Sequence, residues 1–128
     1  LDGKENSDSM VLSVKYGDFT ALFTGDLEKN GEEKLIQSGI LKDIDVLKVA
    51  HHGSAFSTTE EFLRQTKPEL ALISCAEKNQ YGHPHKELLS RLEKYGVLIK
   101  MTKESGAVKV ITDGKKYTVI QKNVQYEI

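Results

Sequence analysis

Apolar runs of strand length alternate along the chain with charged stretches of helical length, and this alternation predicts its elements. Residues 10–16 (MVLSVKY) and 19–24 (FTALFT) are β-rich runs on either side of Gly17-Asp18, a pair suited to a tight turn, which predicts a hairpin over 10–24. Residues 27–38 are charged up to Leu35 and Ile36, so a helix is expected in the second half of that stretch, stopped by Gly39. Residues 43–50 (DIDVLKVA) are almost continuously apolar on one face, the pattern of a strand covered on both sides. After the loop HHGSAFS, Ser57 or Thr58 is placed to cap a helix TTEEFLRQT, with Glu60 and Glu61 in its first turn. ELALIS (69–74) is a further buried strand, and CAEKNQYG a loop. HPHKELLSRLEKYG (83–96) is an amphipathic helix with Pro84 near its start and Gly96 past its end. VLIKMT, AVKVIT and KYTVIQ complete the chain as strands, with turns at 105–106 and 113–116.

A hairpin, then alternating helices and strands, then more strands defines an α/β fold, with a mixed β-sheet and flanking helices on at least one face. The length of 128 residues suits one domain, here 10–128 after a polar opening segment at 1–9. An apolar fraction of 38% is enough to bury a core. The formal net charge of −1, with both signs interspersed, argues against a dedicated basic surface for nucleic acid, though not against phosphate chemistry done by metals. A single cysteine, Cys75, excludes an internal disulfide and a cysteine-rich zinc site and reads as a buried thiol. No run reaches the roughly 18–20 apolar residues of a membrane span, and no signal peptide is visible. The first residue is Leu, which reads as a chain cut from a longer one.

Three apolar runs end in groups that bind metals or move protons. Thr24-Gly25-Asp26 closes one, His51-His52-Gly53-Ser54 the second, and Gly82-His83-Pro84-His85 follows the third. Asp26 stands between a strand and a helix, where a carboxylate serves either as a helix cap or as a hard oxygen ligand able to bridge two divalent ions. Adjacent residues on a strand point to opposite faces, so His51 and His52 diverge unless the strand breaks, and Gly53 permits that break. One ring can then turn into a site while the other supports it or touches substrate. Ser54 reads as a turn or cap residue that lies beside substrate, with no nucleophilic role. His83 is placed to act as ligand, general acid or donor to a phosphate oxygen, while His85 falls on the first helical turn. Asn79 and Tyr81 offer neutral donors to substrate from the same loop. No nucleophile elbow and no glycine-rich phosphate loop is present. Carboxylate plus imidazole is a zinc-type donor set, but a short one for two metals.

The sequence TGDLE, then DVLKVAHHGS, then NQYGHP and a helix, closely resembles the C-terminal half of a metallo-β-lactamase-fold domain, most like that of ComEC-type competence proteins for DNA uptake. The resemblance implies an αββα sandwich with metals at the strand ends, and metal-dependent hydrolysis of the phosphodiesterase or nuclease type. It implies Asp26 as the bridging carboxylate, His52 or His51 as a ligand, and His83 as the late histidine near metal or substrate. The cofactor would be divalent, zinc or manganese, two ions in the complete domain and none of necessity in this chain alone. DNA would be the partner, the membrane would be reached through other parts of a bacterial cell-membrane protein, and this part would be a soluble domain. The family's HxHxDH motif belongs upstream of TGD, and there is no histidine before His51. The upstream half of the domain is therefore expected to be missing, the isolated chain inactive, and the exposed face of a half-sandwich open to homodimerisation. The alternatives are a non-catalytic docking module with an incomplete metal site and a free-standing hydrolase of another ester or amide.

Overall fold

The computed structural model describes residues 10–50, 57–75, 84–102, 107–121 and 124–127. Among them the order is β1 (Leu12–Tyr16), β2 (Phe19–Phe23), α1 (Lys29–Ser38), β3 (Val46–Lys48), α2 (Glu60–Thr66), β4 (Leu70–Ile73), α3 (Lys86–Lys94), β5 (Leu98–Met101), β6 (Val108–Thr112), β7 (Tyr117–Gln121) and β8 (Val124–Glu127). The first five strands form one mixed sheet in sequence order, and the last three form a second sheet. β1 and β2 are antiparallel, while β2, β3, β4 and β5 run parallel with a helix in each crossover. β6, β7 and β8 make an antiparallel meander.

The two faces of the larger sheet follow from the strand period of two. Leu22, Leu47, Ala71 and Ile73 point one way and pack with Phe62 and Leu63 of α2 and Leu88 and Leu92 of α3. Phe19, Ala21, Val46 and Leu70 point the other way, against Tyr117 and Val119 of β7. Helices, a five-stranded sheet and a three-stranded sheet therefore lie in three layers. β3 is covered on both faces, as its apolar run predicts, with Val46 at 3% and Leu47 at 0% exposure.

The strands divide between two sheets, as the αββα sandwich implied by the resemblance requires, because the last run of strands returns over the face that the helices leave bare. Other expectations are refined. α1 occupies nearly the whole charged stretch, its polar first half being held by the buried Glu32. The cap of α2 is Thr59, whose hydroxyl accepts from the Phe62 N–H at 3.3 Å. Ser57 and Thr58 are used elsewhere, and Thr58 takes a left-handed backbone with φ 55°. β8 has no counterpart in the sequence reading, and the expected turn at 105–106 lies outside the described residues.

The second sheet does not cover β1. Leu12, Val14 and Tyr16 lie opposite Phe23, Ala21 and Phe19 in register, and so on the same face, yet they are 53%, 43% and 59% exposed. The open face expected of a half-sandwich thus includes an apolar strip along β1 and the end of β2, with Leu98 exposed on the same face at the other side of the sheet. No helix among the described residues is long and apolar enough to cross a membrane.

At the N-terminal ends of the parallel strands the two hairpin turns touch. The Asp18 N–H donates to the Gly114 carbonyl at 2.6 Å, and a Cβ on Gly17 would stand 2.6 Å from that oxygen. Nearby, Asp45 accepts from the Thr20 N–H at 2.8 Å. Burial, and then the neighbouring Asp45 carboxyl, push the Glu69 carboxyl above its ordinary 4.5. Burial and the same two acids push the Tyr117 phenol upward.

Gly17→Ala is expected to cost about 2–4 kcal/mol in urea unfolding, adding a backbone clash to its positive φ. Gly39→Ala, equally left-handed but facing open space, should cost about 1 kcal/mol. An acid whose folded pKa is raised contributes stability below its unfolded value and loses it as pH rises. Glu69→Gln, which keeps a donor for Asp45 and cannot ionise, should therefore stabilise the chain at neutral pH and leave it unchanged below 4.5, as read from urea midpoints at the two pH values.

Candidate metal centre at the strand edge

The parallel pairing sets where the candidate chemistry falls. β2, β3 and β4 are consecutive neighbours running in one direction, so the segments after Phe23, Lys48 and Ile73 all leave the sheet at one edge. That is the carboxyl edge, where open α/β sheets place their ligands. Thr24, buried at 1% exposure, donates its hydroxyl to the Lys48 carbonyl at 3.0 Å and pins the end of β2 to the end of β3. Gly25 follows with φ 58°, and the Leu27 N–H closes a turn on the Thr24 carbonyl at 3.0 Å. Leu27 is driven into the core at 2% exposure, which leaves Asp26 exposed on the tip of that turn. Asp26 does not cap α1, whose cap position is Glu28.

Lys48 completes this corner. It faces the second sheet, and its ammonium donates to the Val49 carbonyl at 3.1 Å. Burial lowers its pKa, and the Asp26 charge, then Cys75, act in the opposite sense. A half-buried cation thus stands within electrostatic reach of Asp26. The sequence reading missed it, although a lysine inside an otherwise apolar VLKVA is the signal that marks it.

The stems of the two histidine-bearing segments are fixed by hydrogen bonds. The Ser57 hydroxyl donates to the Ala50 carbonyl at 3.5 Å, joining the two sides of residues 51–56. The Thr102 hydroxyl accepts from the Cys75 N–H and donates to the Cys75 carbonyl, both at 2.9 Å, which fixes the start of residues 76–83. Cys75 is buried, as expected of a lone thiol. His85 is the cap residue of α3, with its ring 4.0 Å from the Glu87 carboxylate. His51, His52, Ser54, Asn79, Tyr81 and His83 lie outside the described residues. Among the described residues no group of three or more His, Cys, Asp or Glu stands close enough to share a metal ion. Asp26 is the member of the expected donor set that the structure describes, and it sits at the carboxyl edge.

Residues 4–77, more than half of the chain, match the Metallo-beta-lactamase superfamily, and the chain belongs to it. The match contains both the Thr24-Gly25-Asp26 and the His51–Ser54 motifs. Within the superfamily the chain is similar to ComEC-type competence proteins. It is 39% identical over 104 residues to ComE operon protein 3 of Bacillus subtilis, covering 81% of this chain and 13% of that protein. It is 41% identical over 106 residues to Recombination protein 2 of Haemophilus influenzae, covering 83% and 13%. It is 38% identical over 106 residues to Competence protein ComA of Neisseria gonorrhoeae, covering 81% and 15%. The chain therefore spans about one seventh or less of the length of these relatives.

Proposed function

We propose that this chain is part of a metal-dependent phosphodiesterase or nuclease domain of a competence protein for DNA uptake, a soluble part of a bacterial membrane protein. The observation that carries this reading is the emergence of the Asp26 turn and of Val49-Ala50, the residues that precede His51 in the sequence, from adjacent parallel strands at one edge, in a chain of this superfamily. A hard carboxylate and imidazoles are donor types that zinc and manganese accept, so the residue types at this edge fit a divalent ion and leave coordination positions for an upstream half. A bound pair of such ions supplies Lewis acidity toward a phosphoryl oxygen.

The residues have distinct tasks in this reading. Asp26 holds metal from the tip of its turn, positioned by the Thr24 hydroxyl and the buried Leu27. His52, or His51 in its place, is the imidazole ligand, and the other ring faces substrate with Ser54. His83 protonates the leaving oxygen or holds a non-bridging one. Asn79 and Tyr81 donate to the phosphodiester, and Lys48 adds positive charge beside Asp26 where a substrate anion would approach. DNA as the substrate rests on the relatives' names, because the chain's net charge of −1 supplies no basic groove. The apolar strip of β1 is the seat of the upstream half of the domain, and in its absence of a second copy of this chain.

The full-length protein should retain zinc or manganese through purification and hydrolyse bis(p-nitrophenyl) phosphate and single-stranded DNA. Asp26→Ala should lower kcat/KM at least about 100-fold and reduce metal content. A full-length protein with neither metal nor turnover would overturn the hydrolase reading in favour of a docking module. The 128-residue chain alone should be inactive and should sediment as a dimer at concentrations on the order of 10 µM, and Val14→Lys should return it to a monomer.

A further inference from the structure

Resting on the metal reading above, we infer that Glu32 and Arg91 are positioning residues that fix Ser57, Thr58 and Thr59, the stem that follows the two histidines in the sequence. Glu32 sits inside α1 at 1% exposure, where an acidic side chain costs stability unless it is well partnered. Its carboxylate does not serve its own helix. One oxygen accepts from the backbone N–H of Thr58, and the other from the N–H of Thr59 at 2.9 Å. These partners lie 26 and 27 residues away and are the last connection before α2. From the opposite side, Arg91 of α3 donates Nη2 to the Ser57 carbonyl at 3.0 Å and Nε to the Thr58 carbonyl at 3.2 Å. The Arg91 charge also acts on Glu32.

Amides and carbonyls of Ser57, Thr58 and Thr59 are thus gripped by an acid from one helix and a base from another. Ser57 in turn ties back to Ala50, the residue before His51. The grip carries strain. Thr58 is β-branched and has φ 55°, a conformation that costs such a residue of order 1–2 kcal/mol and persists only where the surroundings impose it. A plain loop-to-helix junction would need neither the strain nor a buried charge. A segment whose exit direction must be fixed relative to β2 and Asp26 needs a rigid stem, and ligand-orienting partners of this kind typically change metal affinity 10–100-fold. No signal in the sequence distinguishes Glu32 from its neighbours Glu33 and Lys34, because its role is set by a contact across 26 residues.

Two readouts separate positioning from mere support. In the 128-residue chain, well below its Tm, Glu32→Gln and Arg91→Met should speed amide hydrogen exchange across 50–59 at least about tenfold while leaving β1–β2 and β6–β7 unchanged. In the full-length protein the same substitutions should weaken zinc binding, measured against a chromophoric chelator, by about 10–100-fold. Thr58→Gly, which keeps the N–H and relieves the strained φ, should leave zinc affinity within about twofold and raise the Tm. Exchange accelerated uniformly over the chain, or zinc affinity unchanged in folded Glu32→Gln and Arg91→Met, overturns the inference. A wild-type full-length protein that takes up no zinc removes the metal reading instead, and the exchange pattern then decides alone whether the pair holds the segment.

Discussion

Parallel pairing of β2 with β3 and of β3 with β4 is the constraint on which the rest of the structure depends. Parallel neighbours must be joined by crossovers, and the crossovers here are α1 and α2, which roof one face of the sheet. The same constraint sends the ends of these strands out at a single edge. Ala21 meets Val46, and Val46 meets Leu70, so one-residue slippage would turn each strand's buried faces over together. The register of three short strands thereby fixes both the core and the corner at which Asp26, Lys48 and the stem at Ala50 are brought near one another.

The two edges of the sheet are built for different ends. At the N-terminal edge, main-chain contact between hairpin turns and the packing of Tyr117 on Phe19 join the two sheets. At the carboxyl edge, the polar groups are spent on holding segment ends: Thr24 on Lys48, Ser57 on Ala50, Thr102 on Cys75. Side-chain hydroxyls bonded to backbone fix the direction of a departing chain without adding charge. Rigid strand ends with shaped connections between them are the general arrangement in which α/β proteins place their chemistry.

Much of this was legible in the sequence, because it is written in local patterns. Gly17-Asp18 announced the first hairpin, the apolar run at 43–50 announced a strand buried on both faces, and Pro84 and Gly96 bracketed α3. What local patterns did not carry was non-local. The two-sheet sandwich was legible only through the resemblance, because whether the late strands join the first sheet or form a second depends on which face of β2 and β3 remains open after the helices dock, and no window of sequence contains that information. Thr59 rather than Thr58 caps α2 because Thr59 has the extended backbone of a cap residue, whereas Thr58, held by Glu32 from far back in the chain, is left-handed. At the candidate centre, the Thr-Gly-Asp motif singled out Asp26, which stands on a turn at the carboxyl edge, and membership of the superfamily agrees with the resemblance read from the motifs. Lys48 was passed over because a lysine in a strand reads as ordinary amphipathic variation until its burial is seen.

The seven-residue length of α2 has a consequence for how the molecule assembles. A helix of under two full turns has almost no stability by itself, since nucleation consumes most of what its hydrogen bonds return. The β1–β2 and β6–β7 hairpins join residues close in sequence and can form within microseconds, whereas α2 must await the docking of α1 and α3 around Phe62 and Leu63. The carboxyl edge is consequently among the last regions to acquire its shape.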